Sequence, residues 1–354
     1  MNYFRISTTK TDCCKDSKLL LKINKAHCDC GEINIFKQKD FYYQLQNGIY
    51  LQQIKFKFSK IELSKWYDLS NAETFKHIET LGLKPKNNLK KILEWAIENN
   101  FIDIVNYCVT NGIDINGYNG LAIKLASQLG KLEIVKLLIE KGATINIVND
   151  PAVYAAVYNH IEVLNYLVKY GGNVSAMNNC AIIKSSEYGY FEIVKILLKH
   201  GADVQARNNE PLIRACSNGH LNVVKYLLKY GADIKTDNYD AINRAIIYGH
   251  LPIIKYVLDI NNDIYVLLYS IKYSIISNEL EILKYLIIRY REHSALIKDI
   301  LICTSIYGSI KTIKCILENA NIPKNIIKLA IYNAHTYNNN NVYEYLVVKE
   351  LLNN

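Results

Sequence analysis

The residues best suited to chemistry stand near the N-terminus: the pair Cys13-Cys14 and the run His27-Cys28-Asp29-Cys30. Thiolates and imidazoles bind zinc, but a structural site wants four such ligands in a tetrahedron, typically from pairs spaced C-x2–4-C. Adjacent and once-separated cysteines match that spacing poorly, so free thiols are expected and no metal. The eight histidines are scattered. A Gly-rich phosphate loop, a nucleophile elbow and a zinc-protease helix are each sought and not found. No catalytic residue and no cofactor is therefore expected, and the chain is read as a non-enzyme.

Composition narrows the class further. The chain has 354 residues, half of them apolar, so a large core is feasible. Its net charge of +9 comes from lysines spread along the sequence, with no basic block. Such a spread favours solubility and weak attraction to anionic surfaces, and nucleic acid is not an expected partner. The opening MNYFRISTTKTDCCKD has no apolar core of a signal peptide, and no run of eighteen apolar residues occurs. The expected setting is the cytoplasm, with reduced thiols.

What must position any functional residue is a repeat. NGHLNVVKYLLKYGADI (218–234) has a near twin, YGYFEIVKILLKHGADV, thirty residues earlier. Anchored on Gly219, the phase runs through Asn100, Gly130, Asn159, Gly189, Gly219, Gly249, Asn278, Gly308 and Asn338. Four residues before each anchor stands a small residue: Ala96, Ala126, Ala155, Ser185, Ala215, Ala245, Ser274, Thr304 and Ala334. Three earlier the residue is always apolar, from Leu93 to Ile331. After the anchor, apolar residues fall at +2, +4, +5, +8 and +9, one helical face. A glycine follows at +12 in five copies (Gly112, Gly142, Gly171, Gly201, Gly231), a helix stop at positive φ; Asn261 takes its place once, and Asn also visits that region. The spacing predicts helix, turn, longer helix and stop, about nine times over. One such unit buries too little apolar surface to offset its backbone entropy, so stacking on its neighbours is required. Cys108, Cys180, Cys216, Cys303 and Cys315 fall inside repeats and are read as packing residues.

The segment NNEPLIRACSNGHLNVVKYLLKYGADI resembles the ankyrin repeat. Pro211, Leu212 and Ala215 stand where that family has the P, L and A of its T-P-L-H-x-A signature. Gly219-His220 match its GH, and Gly231-Ala232-Asp233-Ile234 its GADV. His220 and His250 are then read as turn-stabilising residues. The usual unit has 33 residues; here three are missing from the hairpin between repeats, so its fingers should be stubby. The T and H of the signature are also absent, and the polar bonds they make cannot be assumed. Thirty-residue units with this Asn, Ile, Lys and Tyr bias resemble the large ankyrin families of giant amoebal viruses (mimivirus-like), as do NYFRIS and NGIYLQQIKF near the start.

The expected organisation is a mostly α ankyrin-repeat solenoid over residues 61–354, with a degenerate cap at 62–81 and repeats over about 82–350. Residues 1–60 do not repeat. Asn47-Gly48 followed by alternation at Ile54, Phe56 and Phe58 reads as a strand after a turn. Tyr3–Ile6 and Ile33–Phe36 read as further strands, giving a small β-containing module of three or four strands.

Two surfaces compete for function. The residue just before the anchor is Tyr158, Tyr188, Tyr248, Tyr307 or Tyr337 in five of nine copies. In ankyrin proteins the two positions before that glycine line the concave face and commonly touch partners. The resemblance therefore implies a non-catalytic interaction scaffold, monomeric, binding a protein that could be a host's. Lys136, Lys195, Lys225, Lys255, Lys284 and Lys314 form the second surface at +6 on the longer helix, an alternative site for RNA or an anionic surface. Glu133, Glu192 and Glu281 stand three residues before such lysines, a spacing that forms ion pairs and reads as a solvated outer face.

The poor ligand spacing around Cys28 and Cys30 yields a direct prediction. Elemental analysis of protein purified in metal-free buffer is expected to find no stoichiometric zinc; one zinc per chain would reverse this reading.

Overall fold

The computed structural model describes residues 3–7, 25–28, 31–37, 50–57, 60–63, 67–74, 85–145, 150–261, 264–290 and 293–352. Backbone contacts divide the chain into two compact units, Met1–Met177 and Asn178–Asn354.

The first unit opens with an antiparallel sheet: β1 (Tyr3–Ser7), β2 (Lys25–Cys28), β3 (Gly31–Lys37), β4 (Tyr50–Lys57), β5 (Lys60–Leu63) and β6 (Tyr67–Asp68). Its order is β2-β3-β1-β4-β5, with β6 also on β4. β1 lies centrally, Phe4 opposite Phe36 on one side and Gln53 on the other. The expected fold class needs correction in this part. A module of three or four strands ending at residue 60 is not what forms: six strands pair, and β6 with most of β5 lies beyond that boundary. Pairing in a sheet is non-local, so a strand two residues long has no sequence period to announce it. Cys13, Cys14, Asp29 and Cys30 of the candidate metal cluster lie outside the described residues.

From residue 89 the chain is helical in pairs. In the first unit they are α1 (Leu89–Glu98) with α2 (Ile102–Thr110), α3 (Gly117–Gln128) with α4 (Leu132–Glu140), and α5 (Pro151–Val157) with α6 (Ile161–Lys169). α7 (Ala176–Glu187) and α8 (Phe191–Lys199) follow, then α9 (Ala206–Ser217) with α10 (Leu221–Lys229). The second unit continues through α11 (Thr236–Ile247) with α12 (Leu251–Ile260) and α13 (Ile264–Ile276) with α14 (Leu280–Arg289). It ends with α15 (Ser294–Tyr307) and α16 (Ile310–Asn319), then α17 (Lys324–Thr336) and α18 (Asn340–Leu352). Those are nine pairs in the expected phase, and no strand occurs among the described residues after Asp68.

The core follows the columns. All nine small residues, Ala96 through Ala334, are completely buried, which lets first helices lie close within each unit, as α3 does on α5 and α11 on α13. At +8, Cys108, Leu138, Leu167, Leu197, Leu227, Val257, Leu286, Ile316 and Leu346 are all at most 1% exposed. Three of the five repeat cysteines, Cys108, Cys216 and Cys315, are buried as well, whereas Cys180 and Cys303 are half-buried. Burial pushes the Cys108 thiol up to about 12, leaving it neutral and unreactive.

The turn between paired helices has one geometry in eight copies. The anchor takes positive φ, from 58° at Asn338 to 77° at Gly219. The next residue's N–H then reaches back to the small residue's carbonyl, as His220 does to Ala215 at 3.0 Å and His250 to Ala245 at 2.8 Å. Gly308 departs from this, with φ −88°; there Ser309 and Thr312 cap α16 instead. Asn261 also differs from expectation. It is extended, φ −127° and ψ 118°, while the five glycines at +12 all have positive φ.

Four of the expected stubby hairpins take another form. At four connectors three consecutive residues adopt left-handed helical angles: Tyr118-Asn119-Gly120, Met177-Asn178-Asn179, Arg207-Asn208-Asn209 and Asp237-Asn238-Tyr239. For most L-residues this conformation costs about 1–2 kcal/mol each, and Asn, the middle residue every time, tolerates it best. Side-chain bonds from these connectors stitch each repeat to the next. Asn209 Oδ1 accepts the Asp233 N–H at 2.8 Å and its Nδ2 donates to Thr236 at 2.8 Å; Asn179 accepts the Asp203 N–H at 3.1 Å. Asp150, fully buried, caps α5 through Ala152 and accepts the Asn173 N–H at 2.8 Å. Burial raises its carboxyl above the usual range, and the two N–H bonds oppose that shift.

A second stitch runs through histidine. Nε2 of His160, His220 and His250 lies 2.9 Å from the carbonyl oxygens of Gln128, Glu187 and Ser217, each in the preceding repeat. These histidines thus join repeats rather than only stabilising their own turn. Each ring rests on an anchor glycine: a Cβ on Gly219 would come within 2.7 Å of His250 Nδ1, and Gly130 and Gly189 face His160 and His220 likewise.

Two stability predictions follow from this packing. Leu227→Ala should cost about 2–5 kcal/mol, because the side chain is fully buried; melting unchanged from the parent would sink the register. Gly219→Ala should cost about 1–3 kcal/mol from positive φ and the ring contact. In a His250→Ala background that cost should fall by at least about 0.5 kcal/mol, a coupling that a double-mutant cycle reads directly.

Candidate functional site

The five pre-anchor tyrosines sit where first helices end. Tyr158, Tyr248 and Tyr337 are C-caps of α5, α11 and α17, Tyr188 follows α7, and Tyr307 is the last residue of α15. The helix stops there because the next residue turns left-handed, or extended at Gly308, so each tyrosine stands at the end of its own first helix. All five are exposed, from 49% at Tyr158 and Tyr188 to 61% at Tyr307. Tyr188 packs beside Tyr190, centroids 5.5 Å apart, and the Lys184 ammonium lies 5.8 Å from its ring. The other four share no ring contact with one another among the described residues.

Sequence reasoning missed the neighbours that complete this face. At nine and five residues before the anchor, three successive first helices carry Glu210 and Arg214, Asp240 and Arg244, then Tyr269 and Tyr273. One helical turn separates the members of each pair, so they share a stripe with the pre-anchor position. Arg214 bonds Glu210 at 2.9 Å and Arg244 approaches Asp240 at 3.3 Å, which leaves those two stripes electrically neutral. Tyr239 lies against Tyr269 at 5.0 Å, and Tyr273 stacks behind at 6.3 Å. Same-offset inspection of neighbouring copies would have exposed this row.

The lysine column of the second helices is engaged within the chain. Lys136 bonds Glu133 at 2.7 Å and Lys195 bonds Glu192 at 2.9 Å. Lys225, Lys255 and Lys314 lie over the rings of Tyr256, Tyr285 and Tyr345 in the following repeat, at 5.1, 5.1 and 5.4 Å. Those tyrosines form the +7 column, so cation and ring join adjacent repeats. Among the described residues no cluster of three His, Cys, Asp or Glu could hold a metal, and no helix is long and apolar enough to cross a membrane.

Comparison with known proteins agrees with the geometry. The family described as "Ankyrin repeats (3 copies)" matches residues 69–149, 123–208 and 205–266, together residues 69–266, more than half of the chain. The chain belongs to the ankyrin repeat family. It is 31% identical over 112 residues to an ankyrin repeat protein of Fowlpox virus (strain NVSL), covering 29% of this chain and 33% of that protein. Protein VAPYRIN-LIKE of Medicago truncatula is 31% identical over 106 residues, 28% of this chain and 23% of that one. The chain thus matches about a third or less of each relative's length. These likenesses are to a poxvirus and a plant protein, and they carry nothing specific to giant amoebal viruses. Ankyrin repeat proteins are characteristically non-catalytic interaction scaffolds, and this chain has their architecture.

Proposed function

We propose that this chain binds a protein partner on its first-helix face, through Tyr158, Tyr188, Tyr248, Tyr307 and Tyr337, and that it does so as a cytoplasmic monomer. The observation that carries the reading is the recurrence of an exposed tyrosine at one structural position in five repeats. Tyrosine suits an interface because its ring adds contact area at little entropic loss while its hydroxyl can stay hydrogen-bonded. Tyr239, Tyr269 and Tyr273 extend the surface, and the neutral Glu210–Arg214 and Asp240–Arg244 stripes favour a protein over a polyanion. Five of the six second-helix lysines already have a carboxylate or ring partner, which weighs against the RNA or anionic-surface alternative. If the chain is viral, a host protein is the partner class.

The test begins with an affinity capture from cytosol and continues with the purified partner. Changing Tyr158, Tyr188 and Tyr248 together to Ala should weaken binding at least about tenfold, or about 1.4 kcal/mol. Melting temperature should stay nearly unchanged, since all three rings are exposed. Unaltered affinity in the folded triple mutant would overturn the site. Steep loss of binding with added salt would instead favour the lysine face.

A further inference from the structure

The connector after α16 lacks the plug that closes other repeats. In two of the regular copies the residues at both +13 and +15 turn into the core: Ala143 and Ile145, like Ala232 and Ile234, are each 8% exposed. After α16 the positions from +12 hold Ala320, Asn321, Ile322 and Pro323. Ala320 is extended at φ −133° and ψ 144°, Asn321 and Pro323 are exposed, and Ala320 and Ile322 are no more than partly covered. With no glycine to reverse the chain, the connector runs past the gap that it would otherwise fill.

A cleft of about 210 Å³ remains, lined by Leu317, Ile322, Ile327 and Leu346, with Lys324, Lys349 and Glu350 beside them. That volume exceeds the roughly 150 Å³ that holds a benzene ring. Four aliphatic walls give no return to a polar group, so the part of a ligand that lies against them should be hydrocarbon. The charged residues are two cations against one anion, and a carboxylate trailing that hydrocarbon would meet a charge-assisted donor. We propose that this cleft binds a short aliphatic carboxylate, its chain against Leu317, Ile322, Ile327 and Leu346 and its head at the Lys349 ammonium. The site is separate from the tyrosine face, so the two readings stand or fall independently.

Titration of the full chain, methyl-labelled at Ile and Leu, with octanoate and in parallel with 1-octanol tests this. Octanoate should shift the methyls of Leu317, Ile322, Ile327 and Leu346 saturably, binding about three- to tenfold tighter than octanol. Lys349→Gln should erase that preference while leaving octanol binding unchanged. Ile322→Phe, which fills the cleft, should block both ligands with the remaining methyl spectrum intact. Absent or non-saturating shifts, equal affinity for the two ligands, or a preference that survives Lys349→Gln would each overturn the proposal.

Discussion

The structure depends on one backbone constraint, the left-handed residue at the end of each first helix. It reverses the chain within two residues and directs the following N–H onto the carbonyl of a buried Ala or Ser. Because that residue is small, neighbouring first helices can approach; because the turn is short, the second helix returns antiparallel and presents its +4, +5 and +8 positions to the same core. Only Gly and Asn enter this conformation readily, and the eight turns that use it are built on those two residues alone.

Features set within a repeat were legible in the sequence. The small column, the +8 column and the phase of nine pairs follow from local periodicity, and a helix needs only its own residues to declare its face. Features set between repeats were not. The left-handed run at Arg207-Asn208-Asn209 is held by bonds from Asn209 to the Asp233 backbone and to Thr236, which opens the first helix of the next copy. Asn261 looked equivalent to a positive-φ glycine by chemistry, yet α12 runs on to Ile260 and leaves it extended. The sheet is the extreme case, since β1 finds partners about thirty and fifty residues away.

The two candidate faces illustrate how counting residues can mislead. Lysines and tyrosines recur equally well along the second helices, and by composition they could serve a polyanion. In three dimensions three of the lysines sit on tyrosine rings of the next repeat and two more pair with glutamates. The pre-anchor tyrosines have the same periodicity, and among them Tyr188 has a ring and a cation beside it, Tyr190 and Lys184 of its own repeat. What separates them is the layer from which they project.

The matched glycines and histidines give the array a grammar of recombination. A unit carrying Gly219 and His220 can be duplicated in tandem, because its own histidine suits its own glycine at the new junction. The same unit placed directly after Asn278 would bring an imidazole against an asparagine side chain that presently bonds Ser309. A glycine anchor takes either partner, since Gly249 stands against Glu279 where the others meet histidine, so the restriction falls on junctions that bring a histidine against an anchor other than glycine. Growth by copying neighbours is permitted, and free shuffling of copies is not.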